Sequence, residues 1–281
     1  MVEGGIGSTV RRRQLGRRLR LLRERAKIRA LDAAKATEWS QPTIWRIETG
    51  QNGMRARDVK MLCKLYGADE ATTAELMALA KETKRPDWWR AYGNAVPSWF
   101  ELYLSLAELA SWIRWYEGHL VPGLLQTSAY TRALMRDEPP SLIENRVTIR
   151  LKRQELLTNE DPAQFEFLLD ESVLHRQVGD PHTIVGQLER LIEISELPNV
   201  TLRVLPYSIG SHDGLLSGPF VILDFPQGDP DTAEPTMAYL EGFTSATYLE
   251  KSVEIDPYLA GFDDLHKKSL DEQASENSSH K

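Results

Sequence analysis

The sequence predicts an all-α helix-turn-helix head followed by an α+β C-terminal domain. Up to about Lys84, apolar residues recur at spacings of three and four, the period of amphipathic helices. Beyond Pro86, short apolar runs such as FEFLLD at 165–170 alternate with helical patterns, which is typical of a domain that mixes strands and helices. The charge changes sign at the same place: residues 1–85 hold 19 Lys and Arg against 10 Asp and Glu, and the remainder holds 15 against 31.

The composition limits the class of protein. Hydrophobic residues make up 41% of the 281 residues, enough for one large core or two ordinary ones, and the change in pattern and charge near residue 85 favours two. The single cysteine, Cys63, excludes a disulfide framework within the chain and a cysteine-based zinc cluster. The start of the chain, MVEGGIGSTV, lacks the apolar core of a signal peptide, and no run of roughly 18 apolar residues follows. We therefore expect a soluble, cytoplasmic protein with no membrane partner.

The basic head favours contact with a polyanion, although basic residues that merely coat solvated helices give the same charge. Residues 1–13 predict a flexible basic arm, in which Arg11, Arg12 and Arg13 lie along phosphates or enter a minor groove; a disordered tail is the alternative. Arg17, on the first predicted helix, is a further candidate for contact with DNA.

Five helices are predicted within residues 14–85. In the first, Leu15, Leu19, Leu22 and Ala26 form an apolar stripe, and the other arginines, Arg23 included, fill the remaining surface. The predicted helices are 14–26, 28–37, 40–50, 57–66 and 69–84. Two short helices joined by a tight turn at 38–39 give the helix-turn-helix arrangement.

The third helix, SQPTIWRIETG at 40–50, is central to this prediction. Ser40 is a good N-cap, Pro42 is tolerated in a first helical turn, and Ile44 and Ile47 lie on one face. Gly50 is a suitable helix stop.

The opposite face of this helix carries side chains that read DNA. Gln41 pairs with adenine, Arg46 pairs with guanine, and Thr43 offers a methyl group to thymine or a hydroxyl to a phosphate. The hydroxyl of Ser40 is a further candidate for a phosphate or base contact. Trp45 either stacks on sugar and backbone or packs against the second helix.

Three segments, LGRRLRLLRERAKI, WSQPTIWRIETGQ and ARDVKMLCKLYG, resemble the helix-turn-helix domain of the xenobiotic-response-element regulators, the Cro and phage-repressor type. The resemblance implies that Gln41 to Arg46 belong to the recognition helix, and that Glu48 and Gly50 match its usual ending.

The segments also depart from that family. Ala30 stands where a DNA-contacting Gln is common, Thr37 where Leu is common, and Glu38 where the turn usually has Gly. A residue other than glycine with positive φ costs of order 1 kcal/mol, so we expect a strained or reshaped turn. A carboxylate at Glu38 would also weaken binding to phosphates.

Residues 86–270 are predicted to form the α+β domain, and residues 271–281 a disordered tail. Strands are predicted at 165–170, 200–205, 220–225, 237–241 and 246–249, and helices at 98–116, 141–157 and 181–196, with a last helix from Asp256.

The segments PDWWRAYG, EGHLVPGLLQTSAYTRALM and LPNVTLRVLPYSIGSHDGLLSGPFVILDFP resemble the C-terminal domain of actinobacterial regulators in which this domain follows the same head. That resemblance implies antitoxin-like transcription regulators, often paired with a small protein encoded nearby. It transfers no binding residues to this domain.

The sequence has no HExxH, GxSxG or P-loop motif, and we expect no enzyme, no cofactor and no metal site. Asp170, Glu171 and His175 could converge, but a pair four residues apart is usually an ion pair. The glycine-rich run at 210–218 permits an anion-binding nest, although an ordinary loop between two strands has the same composition.

These observations predict a sequence-specific DNA-binding transcription regulator whose partner is double-stranded DNA. A homodimer on half-sites ~34 Å apart would supply enough interface for specificity. The C-terminal domain would dimerise, receive a signal or hold a partner protein. The alternative is an antitoxin-like interaction module with weak DNA binding; a DNA-tethered enzyme is a third possibility. The candidate DNA-binding residues are Arg11, Arg12, Arg13, Arg17, Ser40, Gln41, Thr43, Trp45 and Arg46.

Overall fold

The computed structural model describes residues 7–50, 52–83, 88–226 and 234–270. They form two compact units. The first comprises the described residues up to Ala91 with 97–106, Pro226 and Glu234, and the second comprises 92–96, 107–225 and the described residues from Pro235 onward. The predicted boundary at 85/86, the first six residues of the predicted arm and the predicted tail at 271–281 lie outside the described residues. The packing units are therefore interleaved along the chain, whereas the predicted domains are continuous.

The head is all-helical, as predicted. Its helices are α1 Gly7–Arg25, α2 Ala30–Thr37, α3 Gln41–Glu48, α4 Ala56–Tyr66 and α5 Glu70–Glu82. They surround one core, in which the most buried side chains include Leu19, Ile44, Val59, Leu62 and Leu76. Side-chain oxygens of Ser40 and Asp69 cap α3 and α5 by accepting hydrogen bonds from backbone N–H groups.

The predicted flexible arm is wrong for the arginines that define it. Helix α1 begins at Gly7 rather than near Gln14, so Arg11, Arg12 and Arg13 are helical and half-buried. The helix extends this far because Val10, only 1% exposed, joins the packed interior.

A second correction concerns the predicted helix over 98–116. The helix α6 covers Ser98–Ala107, and a strand, β1, covers Trp112–Glu117. Apolar spacing across this segment suits a helix, but WIRWYE is rich in aromatic and β-branched residues, which fit a pleated strand. As a central strand, β1 buries residues on both faces, including Ile113 and Tyr116.

The second unit contains a six-stranded sheet in the order β3-β2-β1-β4-β5-β6. Strands β1, β2 and β3 are parallel, and β4, β5 and β6 continue the sheet in antiparallel fashion. The remaining strands are β2 Gln164–Asp170, β3 Val200–Leu205, β4 Phe220–Asp224, β5 Met237–Glu241 and β6 Ala246–Leu249. All of them were predicted within one residue. The α+β class of this domain is thereby confirmed.

Helices connect and cover the sheet. They are α7 Ser128–Leu134, α8 Pro140–Arg153, α9 Glu171–His175, α10 Pro181–Ser195, α11 Asp213–Ser217 and α12 Ser252–Lys268. The last helix starts four residues before the predicted Asp256, with Pro257 inside it. Its buried Phe262 and Leu265 pack against Tyr116, Leu168 and Phe220 of the sheet. Within the ranges that the structure describes, no helix combines the length and apolar character needed to cross a bilayer.

Candidate nucleic-acid interface

Helix α3 packs against the other helices of the head through its apolar face and through a close backbone contact with α1. Ile44 and Ile47 are buried, at 1% and 5% exposure. Where α1 passes α3, a Cβ atom on Gly16 would lie only 2.3 Å from the carbonyl oxygen of Ile47. Only glycine permits this approach, and no motif in the sequence marks the position.

A bidentate ion pair fixes the last turn of α3 to α1. Arg23 donates from Nε and Nη2 to the two carboxylate oxygens of Glu48 at 2.6 and 2.8 Å, and from Nη1 to the carbonyl of Ile28 at 2.9 Å. Both side chains are largely buried, and the hydrogen bond to Glu48 raises the pKa of Arg23. The prediction that Arg23 lies on the surface is therefore wrong; it follows Leu15 and Leu19 at a spacing of four, which is the spacing of the buried face.

The outward face of α3 carries three of the predicted contact residues. Gln41 and Arg46 are exposed, and Trp45 is 55% exposed on the same side. Residues 41 and 45 lie one turn apart, as do 42 and 46, so these side chains form one surface. Trp45 therefore faces outward instead of packing inside the head.

Ser40 and Thr43 are placed differently. The Ser40 Oγ accepts from the Thr43 backbone N–H at 3.2 Å and lies 2.8 Å from the Thr43 hydroxyl. The two hydroxyls satisfy each other at the helix start, and Thr43 is half-buried. Their role as contacts to bases or phosphates stays a prediction, and such a contact would replace or share this local hydrogen bond.

The predicted basic residues of α1 lie beside the segment that follows α3. A Cβ on Gly50, where φ is +74°, would come within 2.7 Å of the Arg13 backbone, and one on Gly53 would be 3.4 Å from Arg12 Nε. The structure thus brings Arg12 and Arg13 near the C-terminal end of the candidate recognition helix.

Arg17 is engaged by a carboxylate. Its Nη2 donates to Glu234 Oε2 at 2.9 Å, and the Glu234 side chain is 2% exposed. These residues are 217 positions apart in the sequence, so no local sequence pattern predicts the pair. A phosphate contact by Arg17 would require this ion pair to open.

A strained or a reshaped backbone was predicted for the turn ahead of α3, and the structure has the strained one. Glu38 adopts φ 59° and ψ 25°, and the N–H of Trp39 donates to the carbonyl of Ala34 at 2.9 Å, which closes α2. Lys27, between α1 and α2, has φ 58° and was not predicted. Lys27, in the connection from α1 to α2, and Glu38, directly after α2, therefore both occupy a conformation that glycine prefers.

In the second unit, Asp170 does not join Glu171 and His175, whose pairing with each other was the favoured interpretation of this sequence. Glu171 Oε1 lies 3.4 Å from His175 Nε2, whereas Asp170 Oδ2 lies 3.3 Å from His212 Nε2. His212 belongs to the glycine-rich run, which forms the short helix α11 instead of a plain loop. Among the described residues, no cluster of three or more His, Cys, Asp or Glu side chains could hold a metal ion.

Comparisons with known families match both parts of the chain. A model described as a helix-turn-helix domain matches residues 14–76. A model described as a domain of unknown function, DUF5753, matches residues 100–277. No curated protein and no solved structure matches the chain significantly. The head is therefore a helix-turn-helix domain, which supports a DNA-binding regulator of transcription.

Proposed function

The chain belongs to the family defined by the domain of unknown function DUF5753, and from its helix-turn-helix head we propose that it is a sequence-specific DNA-binding transcription regulator. One observation carries this proposal. The candidate recognition helix is anchored by buried side chains, and its free face presents Gln41, Trp45 and Arg46. Amide and guanidinium groups on a rigid, exposed helix are what reading of base edges in a major groove requires.

Each residue of that face has a proposed role. Arg46 donates two hydrogen bonds to one guanine, and Gln41 pairs with one adenine. Trp45 packs its ring against sugar or thymine methyl groups beside them. Ser40 and Thr43, at the start of the helix, contact a phosphate or a base edge.

The basic residues of α1 would supply the contacts that do not depend on sequence. Arg11, Arg12 and Arg13 lie on helical backbone, so they would meet phosphates along the outside of the groove and not as an extended arm in the minor groove. Arg17 joins them when Glu234 releases it.

A single head of this size offers too little interface for tight, specific binding, so we propose a homodimer on two half-sites ~34 Å apart. The α+β domain would dimerise, receive a signal or hold a small partner protein. We also propose that it is not an enzyme and needs no cofactor, in agreement with the absence of familiar catalytic motifs from the sequence.

One observation favours a second candidate, an antitoxin-like interaction module with weak DNA binding. The turn before α3 places an exposed carboxylate, Glu38, close to where phosphates would lie, and Arg17 and Arg18 of α1 are already paired with Glu234 and Glu75. Both features reduce the positive potential that the head offers to DNA.

Selection of bound fragments from genomic DNA by the purified full chain, at two salt concentrations, tests the proposal. A regulator recovers a shared inverted repeat, and its affinity decreases steeply with salt because phosphate contacts release counterions. Recovery of unrelated fragments at low salt, and of none at high salt, would contradict sequence-specific binding and favour the interaction module.

A further inference from the structure

A cavity of about 370 Å³ lies between α11 and α12 in the second unit. It is open on one side, and its apolar lining is formed by Phe220, Pro257, Tyr258 and Leu265 together with Leu216, which is 87% exposed. This volume is within the range of small-molecule sites, which are concave, largely apolar and provided with a few polar groups.

Both walls are fixed to the sheet, so the cavity does not result from a loosely packed element. On the α11 side, a Cβ on Gly214 would lie 2.4 Å from the ring of Tyr116, and the buried His212 contacts Asp170 at 3.3 Å. On the α12 side, the rings of Phe220 and Tyr258 meet edge to face, with their centroids 5.2 Å apart.

Gly261 keeps the cavity open. It lies in the interior of the 17-residue helix α12, a position where glycine is among the poorest residues for helix stability. It faces the cavity with Pro257 and Leu265, which are one turn away on either side. No atom lies within 4 Å of the position that a Cβ would take, so a longer side chain there would occupy the cavity.

The polar groups of the cavity indicate what it accepts. Asp213 is among the lining residues, is exposed, and forms no ion pair within the described part of the chain. The hydroxyl of Ser217 already donates to the carbonyl of Gly218 at 2.9 Å. The surrounding domain is acidic, with 31 Asp and Glu against 15 Lys and Arg from residue 86 onward. An apolar body with one cationic group complements these walls.

We propose that this cavity binds a small apolar amine. The ammonium group pairs with Asp213, and the hydrocarbon part replaces water against Leu216, Tyr258 and Leu265. Binding itself requires no DNA contact by the head, so this proposal and the proposed function can fail separately. A role for this ligand in regulating DNA binding rests on the proposed function.

The test measures binding of two probes, phenethylamine and cyclohexylmethylamine, to the full chain by ligand-observed NMR and calorimetry. The neutral isostere 2-phenylethanol is the control for charge. Gly261→Leu fills the cavity, and Gly186→Leu is its matched control because Gly186 is also helical with nothing within 4 Å of its Cβ position. Asp213→Asn removes the charge alone. Circular dichroism establishes that each variant is folded.

The amines should bind the unmodified chain and Gly186→Leu equally. Gly261→Leu should weaken binding about tenfold or more, because the leucine side chain takes the space that the ligand needs. Asp213→Asn should weaken the amines about threefold, because this carboxylate is exposed, and leave 2-phenylethanol unchanged. Absence of binding by both amines at millimolar concentration would overturn the proposal. So would equal binding to Gly261→Leu. Loss of self-association in Gly261→Leu, seen by sedimentation without amine binding, would overturn it in favour of a second copy of the chain.

Discussion

Glu38 offers a sharp test because its strain and its charge can be removed separately. With φ 59° and ψ 25°, it occupies the left-handed region, which costs a residue with a side chain ~1–2 kcal/mol. Glycine loses more backbone freedom on folding, which offsets ~0.5–1 kcal/mol of the gain. We therefore expect Glu38→Gly to raise the free energy of unfolding by roughly 0.5–1 kcal/mol. Glu38→Gln keeps the strain and should leave this free energy unchanged.

The effect on DNA should follow the charge instead. A phosphate about 10 Å from the carboxylate repels it by ~0.4 kcal/mol in water, and less at physiological salt. Both Glu38→Gly and Glu38→Gln should therefore bind a duplex carrying the selected site up to about twofold more tightly. Urea unfolding followed by circular dichroism, and fluorescence anisotropy with labelled duplex, measure the two quantities. Equal stabilisation by Gln and Gly would refute the strain argument, and unchanged affinity in both would show that Glu38 does not face phosphates.

Two further predictions concern ionisable groups that are buried or half-buried. Arg23→Met leaves Glu48 buried without its partner and should lower the free energy of unfolding by about 3 kcal/mol. The double variant Arg23→Met/Glu48→Met should recover most of this loss. Urea unfolding measures both variants, and a single variant that is as stable as the double variant would contradict this. Burial raises the pKa of Glu117 from 4.5 to about 7, so the protonated carboxyl favours the folded state. Glu117 therefore contributes roughly 3 kcal/mol to the free energy of unfolding below pH 4.5, and this contribution is lost as the pH rises through 7. In urea unfolding at pH 5 and pH 8, Glu117→Gln should lose most of this pH dependence, and an unaltered dependence would assign it to other groups.

The sequence was sufficient where local signals agree. Ser40, Ile44 and Ile47 predicted both the start and the buried face of α3, because capping and helical spacing are local properties. Strands β2 to β6 were likewise predicted from short apolar runs bounded by turn residues, whereas β1 was not. The role of Gly261 could not be predicted from the sequence, because the cavity that it lines exists only where α11 packs beside α12.

The errors arose where tertiary contacts decide. Burial of Val10 extends α1 over the predicted arm, and sheet pairing turns the segment at Ile113 from a predicted helix into a strand. The pairing of Arg17 with Glu234 joins residues that are remote in sequence, so no periodicity reveals it. Arg23 could have been recognised, because it extends the spacing of Leu15 and Leu19 into the core.

The most direct test of the central claim is the base preference of Arg46→Ala, measured against the unmodified chain on the selected site and its single-base variants. Lys35→Ala, an exposed cation on α2, serves as the control for loss of charge. If α3 reads DNA, Arg46→Ala costs about 1–3 kcal/mol and removes the preference at one base pair, whereas Lys35→Ala affects all sequences alike. Identical losses across every sequence in both variants would contradict the assignment of α3 as the recognition helix.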